Sequence, residues 1–155
     1  MTTQTAKSRV RTDWIALASV GFFIMLLGAI WLFTPNLTEE TANFARDIAT
    51  NRQNLTESIV LPAPIENHPV VYTVAMQFCF IYGVFQIVML AVRLFLGERI
   101  HRAIDAAPGI TFLFVAGYFL SLLTSESIAW FGFIAGIMIS VGVAIIVASL
   151  LNLLK

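Results

Sequence analysis

The sequence predicts an all-α integral membrane protein, a four-transmembrane-helix bundle built as one membrane domain over 1–155. Three observations predict it. Hydrophobic residues fill 59% of the 155 positions and charged residues 12%, about half the charge of an ordinary soluble domain. Apolar runs able to cross ~30 Å of hydrocarbon occur four times. One long stretch, 34–69, is too polar for hydrocarbon: TPNLTEETANFARDIATNRQNLTESIVLPAPIENHP.

The first span is expected over about 14–33. Lys7, Arg9 and Arg11 precede it, and no Ala-x-Ala-like site follows, so it reads as an uncleaved span rather than a signal peptide. Trp14 and Trp31 fall at its two ends, where an amphipathic indole is favoured at a membrane interface. The second span, 70–96, is interrupted only by Thr73, Gln77, Gln86 and Arg93, and its Arg93 end tilts or projects from the bilayer. Glu98 with Arg102 and His101 with Asp105 then make i,i+4 pairs, while Ile100, Ile104 and Ala107 share a face. That pattern predicts a short amphipathic surface helix, ended by Pro108-Gly109. A short third span over 107–124 and a fourth over 128–154 flank Ser125-Glu126-Ser127, which leaves room only for a tight turn.

Four spans put both termini and the 2–3 connection on one side. Lys7, Arg9, Arg11, Arg93, Arg99, Arg102 and Lys155 lie there, against Arg46 and Arg52 on the other. The positive-inside rule then predicts cytoplasmic termini in a plasma membrane protein, with 34–69 outside.

Within 34–69, Leu37, Phe44, Ile48, Leu55 and Ile59 recur at spacings of 7, 4, 7 and 4, one stripe of an amphipathic helix. The stripe would lie across the bundle ends or serve as an external docking surface. Glu39, Glu40, Arg46 and Asp47 are expected on the other faces. Asn-Leu-Thr-Glu occurs at Asn36–Glu39 and again at Asn54–Glu57. Each copy matches a capping box, so two helices with a break near 51–53 are expected. Each also contains an Asn-x-Thr sequon, which makes Asn36 and Asn54 candidate glycosylation sites. Leu61-Pro62-Ala63-Pro64 forces an extended return. His68 reads as a lone histidine, with His101 across the membrane.

Inside the spans no ionisable residue falls near the midplane, where proton relays and ion sites are built. Asp13, Arg93 and Glu126 fall near span ends. On the second span Cys79, Gly83, Gln86 and Arg93 share one face, with Thr73 and Gln77 nearly opposite, because nine residues make two and a half turns. One packing contact cannot satisfy both amides, so either this span is covered on both sides or one glutamine meets another chain. Gly132, Gly136 and Ser140 on the fourth span let backbones approach closely, and Gly21, Gly28 and Gly117 offer matching positions.

One Cys excludes an intrachain disulfide and a multi-thiolate metal site. No phosphate loop, zinc motif or Ser-His-Asp set can be assembled, so no cofactor or metal is expected. Basic residues are too few and dispersed for nucleic acid. The layout resembles that of claudins and related four-span junction proteins in topology alone. Those proteins carry paired Cys in the first external segment, where this chain has none, and no family follows from it.

The expectation is a non-enzymatic accessory or structural subunit that contacts the lipid bilayer and other membrane chains, as a homo- or hetero-oligomer. The alternatives are a small channel or transporter for a neutral or weakly polar solute, lined by Gln77 or Gln86 with Thr73 and Tyr82, and a cell-surface module whose outer segment is glycosylated or binds a ligand.

Overall fold

Hydropathy and punctuation together set the helices. In the computed structural model, which describes residues 3–56, 59–97 and 105–153, helix α1 runs Thr3–Phe33. It stops because Pro35 lacks an N–H and disfavours helical geometry at Thr34. The chain turns by 98° into α2, Leu37–Thr50. Asn36 makes that corner with φ 59°, a left-handed conformation that asparagine tolerates better than most residues. Glu39 and Glu40 sit in the first turn of α2, where negative charge suits the helix dipole.

The expected break falls at Asn51, but no second helix follows. Strand β1, Arg52–Thr56, pairs antiparallel with β2, Ile59–Pro62, and an irregularity lies between Asn54 and Thr56. The helical stripe therefore ends at Ile48: Leu55 lies on β1 and Ile59 begins β2. The β-branched pair Ile59-Val60 and the proline at 62 favour extended backbone and outweigh the helical spacing. The capping box at Asn54 opens no helix either, and its Glu57 lies outside the described residues, as do residues 98–104 of the expected surface helix, whose expected stop at Pro108-Gly109 instead lies in the first turn of the helix Ala107–Thr124.

Helix α3, Pro69–Phe95, starts with proline at its first position, where a missing N–H costs nothing. It ends at Leu96 and Gly97, whose φ of 73° is the usual left-handed stop. Helix α4 covers Ala107–Thr124 and α5 covers Trp130–Leu153. Between them the Ser127 N–H donates to the Leu122 carbonyl at 2.9 Å and the Glu126 N–H to Leu123 at 3.1 Å. This is a Schellman closure, with Glu126 at φ 57° holding the position usually given to glycine.

Helices α3, α4 and α5 are each long and apolar enough to cross a bilayer. The apolar stretch Leu17–Phe33 of α1, bent against α2, makes a fourth candidate. The helices pack as an open row rather than a closed bundle: α1 on α3, α3 on α4 and α4 on α5, with no comparable contact from α1 to α5 among the described residues. Two kinds of interface hold the row. At α3–α4 the Phe114 ring lies 3.0 Å from where a Gly83 Cβ would sit, and Cys79 and Phe80 close on Gly117 at 3.3 Å. At α4–α5 the Phe119 ring fills the space over Gly136, and the fully buried Ser140 hydroxyl donates to the Gly136 carbonyl at 2.8 Å. Small residues thus allow the close approach on which van der Waals contact between membrane helices depends.

The α1–α3 interface uses rings instead. Phe22 stacks on Phe85 at 3.8 Å, and Phe23 meets Phe78 and Tyr82 edge-on. Gly21 and Gly28, expected as close-approach positions, have no atom within 4 Å of an added Cβ, so they do not serve that purpose within the chain. Gly132 is exposed and its nearest atom is the adjacent Ile128 at 3.4 Å. Trp14 is 70% exposed and Trp31 53%.

Candidate functional site

Among the described residues, two of the hollows combine polar side chains with space. The first is the end of the row covered by α2 and the hairpin, the capped end. Helix α2 turns Leu37 inward, 5% exposed, and leaves Phe44 and Ile48 half-buried. Phe44 stands edge-on to three rings: His68 at 5.3 Å, Tyr72 at 5.8 Å and Trp130 at 5.9 Å. Such pairs contribute about 0.5–1.5 kcal/mol each beyond area burial, so Phe44 ties α2 to the starts of α3 and α5.

Asp47, one turn on from Phe44, does not lie on a solvated face as its charge suggested. Its side chain is 10% exposed and its Oδ2 lies 3.1 Å from Nε2 of His68, itself 4% exposed. The same oxygen accepts the Glu66 N–H at 3.0 Å, and Oδ1 accepts the Asn51 amide. Burial opposes the charged carboxylate. Hydrogen bonds from His68, the Glu66 N–H, Asn51 and the Ile65 N–H outweigh it and hold the pKa below 3.8. An ionised carboxylate only accepts, so His68 presents a proton on Nε2. His68 is therefore not alone, although its partner lies 21 residues away. His101 lies outside the described residues.

Beside this pair a cavity of about 370 Å³ opens at the capped end. Tyr72, Trp130, Glu66, Asn67 and Glu126 are among the residues that line it. The Asn67 amide donates to Glu126 Oε1 across 59 residues, tying the strap before α3 to the α4–α5 turn. Two side-chain donors are sealed from water without a hydrogen-bond partner among the described residues, Trp130 Nε1 here and Arg93 Nε at the opposite end of α3.

The second place is a groove of about 600 Å³ between α1 and α3, running from the α1–α2 corner at Thr34 and Pro35 down to Gln77 and Ile81. Leu26, Ile30, Val70 and Val74 make it apolar, with Thr73 and Gln77 its polar side chains on α3. Phe22 and Phe23, whose rings meet α3, do not line it. Gln77 is exposed and makes no hydrogen bond with a described residue. Gln86 is half-buried on the Gly83 side of α3 and does not line this groove. Tyr82 does not line this groove either, whereas Thr73 and Gln77 both do.

Asn36 is exposed and its side chain makes no capping bond. Asn54 lies on β1. Among the described residues no group of three or more His, Cys, Asp or Glu could hold a metal ion. Sequence pattern alone missed the Phe44–Tyr72–Trp130 cluster and the Asp47–His68 pair. The one signal for the latter was an acidic residue set one turn from an apolar stripe position. No protein-family model matches the chain, and neither a curated protein nor a solved structure does.

Proposed function

We propose that the chain is a non-enzymatic integral membrane protein, an accessory or structural subunit that packs against partner chains along the α1–α3 groove. In this reading the chain crosses the plasma membrane four times, with both termini in the cytoplasm and the capped end outside. The excess of Lys and Arg on the side of the termini supports that orientation.

Gln77 carries the proposal. Its primary amide lies in an apolar groove, exposed and without a hydrogen bond to any described residue. Hydrocarbon offers an amide nothing to bond with, and leaving it unpaired costs roughly 2–7 kcal/mol. A second membrane helix seated in the groove supplies the missing partner. The open row supports the same reading, because α1 keeps Gly21 and Gly28 clear of intrachain contact, and glycines on a free helix face suit close association.

The test is to purify the protein in mild detergent from its native membrane and measure the particle mass. A particle heavier than one 17.1 kDa chain, or a stoichiometric co-purifying membrane protein, is expected. A strictly monomeric particle that brings down no partner overturns the proposal.

A further inference from the structure

We infer that the capped-end cavity is a binding site for an organic ammonium cation of the trimethylammonium type. The charged side chains lining it are Glu66 and Glu126, and no Lys or Arg lines it, so its charge selects a cation. Tyr72 and Trp130 are among its lining residues, with ring centroids 6.4 Å apart at 32°. Aromatic faces attract cations through the ring quadrupole, and a methylated ammonium gives up little hydration to reach them. Among the described residues no third His, Cys, Asp or Glu joins the two carboxylates to make a metal site. At about 370 Å³ the cavity falls within the ~300–1,000 Å³ usual for small-molecule sites.

The site is also held in shape before a ligand arrives. The Asn67–Glu126 hydrogen bond joins two of its lining residues. Phe44 stands edge-on to both the Tyr72 and Trp130 rings. Asp47 fixes the strap that bears Glu66 through the Glu66 N–H. Preorganisation of this kind lowers the cost of binding. The same group could reach the cavity on a soluble amine or as the choline headgroup of a lipid.

The experiment titrates choline, and its neutral carbon isostere 3,3-dimethylbutan-1-ol, into the full chain in phosphatidylglycerol nanodiscs, read by calorimetry. Saturable choline binding is expected, with the isostere at least about tenfold weaker. The Glu66→Gln/Glu126→Gln double variant is expected to lose about tenfold in choline affinity while unfolding at the same temperature, because the amide oxygen that replaces the Glu126 carboxylate still accepts the Asn67 bond. Trp130→Phe keeps a ring with a weaker face and is expected to weaken choline by about threefold. Repeating the titration in phosphatidylcholine nanodiscs separates the sources. Suppressed choline binding there means the headgroup occupies the site, and unchanged binding means a soluble amine does. Equal binding of choline and its isostere, undiminished binding by the double variant, or no saturable binding overturns the inference.

Discussion

The Phe119 ring of α4 occupies the place a side chain on Gly136 of α5 would need. The ring's Cγ, its atom nearest the α4 backbone, is among the atoms in the way, so turning the ring about its own axis does not clear the space. Gly136→Ala is therefore expected to destabilise the protein by about 1–3 kcal/mol, the usual penalty for overpacking. Gly142→Ala, where an added Cβ meets nothing within 4 Å, is the matched control and should not destabilise. Thermal unfolding of both variants in one detergent checks this. Equal midpoints would mean that the two helices do not meet at Gly136.

The capped end should open in acid. Asp47 is held below its ordinary pKa of 3.8 when α2 is docked, and it returns towards that value when α2 lifts away. A depressed folded-state pKa contributes stability that is fully present above 3.8 and lost as the pH falls through the docked-state value. Amide exchange along α2 should therefore be slow and flat above that range and speed up below it. In Asp47→Asn the exchange should be faster at neutral pH, and its acid dependence should be smaller. An unchanged acid profile in that variant would show that other carboxylates close the capped end.

The helices were legible because hydropathy and punctuation agree: Pro35, Pro69, Gly97 and Pro108 each stand where a helix begins or ends. The hairpin was not, because Leu55 and Ile59 are four residues apart and so fit a helix as readily as a strand irregularity. In so short a stretch the period alone does not decide. The open row was hidden as well. Gly21, Gly28, Gly132 and Gly136 carry the same small-residue signal, but only Gly136 of these meets an aromatic ring. Asp47 and His68 were unreadable as a pair because contact across 21 residues depends on where the hairpin returns the chain.

Asn36 discriminates between two accounts of the α1–α2 corner. A capping role through its side chain predicts that serine, an equally good N-cap, replaces it freely. The structure instead places it at φ 59° with no side-chain cap bond, so the backbone conformation sets the preference. Asn36→Ser is then expected to cost about 1 kcal/mol, Asn36→Val about 1–2 kcal/mol, and Asn36→Gly nothing or a slight gain. Thermal unfolding of the three variants gives the order.

Gln77 and Gln86 lie on opposite sides of one helix, which makes them an internal control for partner binding. Gln77 lines the open groove and bonds to no described residue, so Gln77→Leu removes nothing from the chain's own fold. Its unfolding temperature should stay the same or rise, since leucine is the better match for hydrocarbon. Association should fall, because an interhelical hydrogen bond in a membrane contributes roughly 0.6–2 kcal/mol, which is about 3–30-fold in the association constant. Gln86→Leu, on the half-buried side towards α4, should leave association unchanged. Fluorescence energy transfer between labelled chains in liposomes measures self-association, and quantitative pull-down measures a different partner. Equal losses from both variants would mean that the amides act only through general polarity of α3. A loss from Gln86→Leu alone would move the partner surface to the α4 side. Only a loss confined to Gln77→Leu, with stability kept, matches a helix seated between α1 and α3.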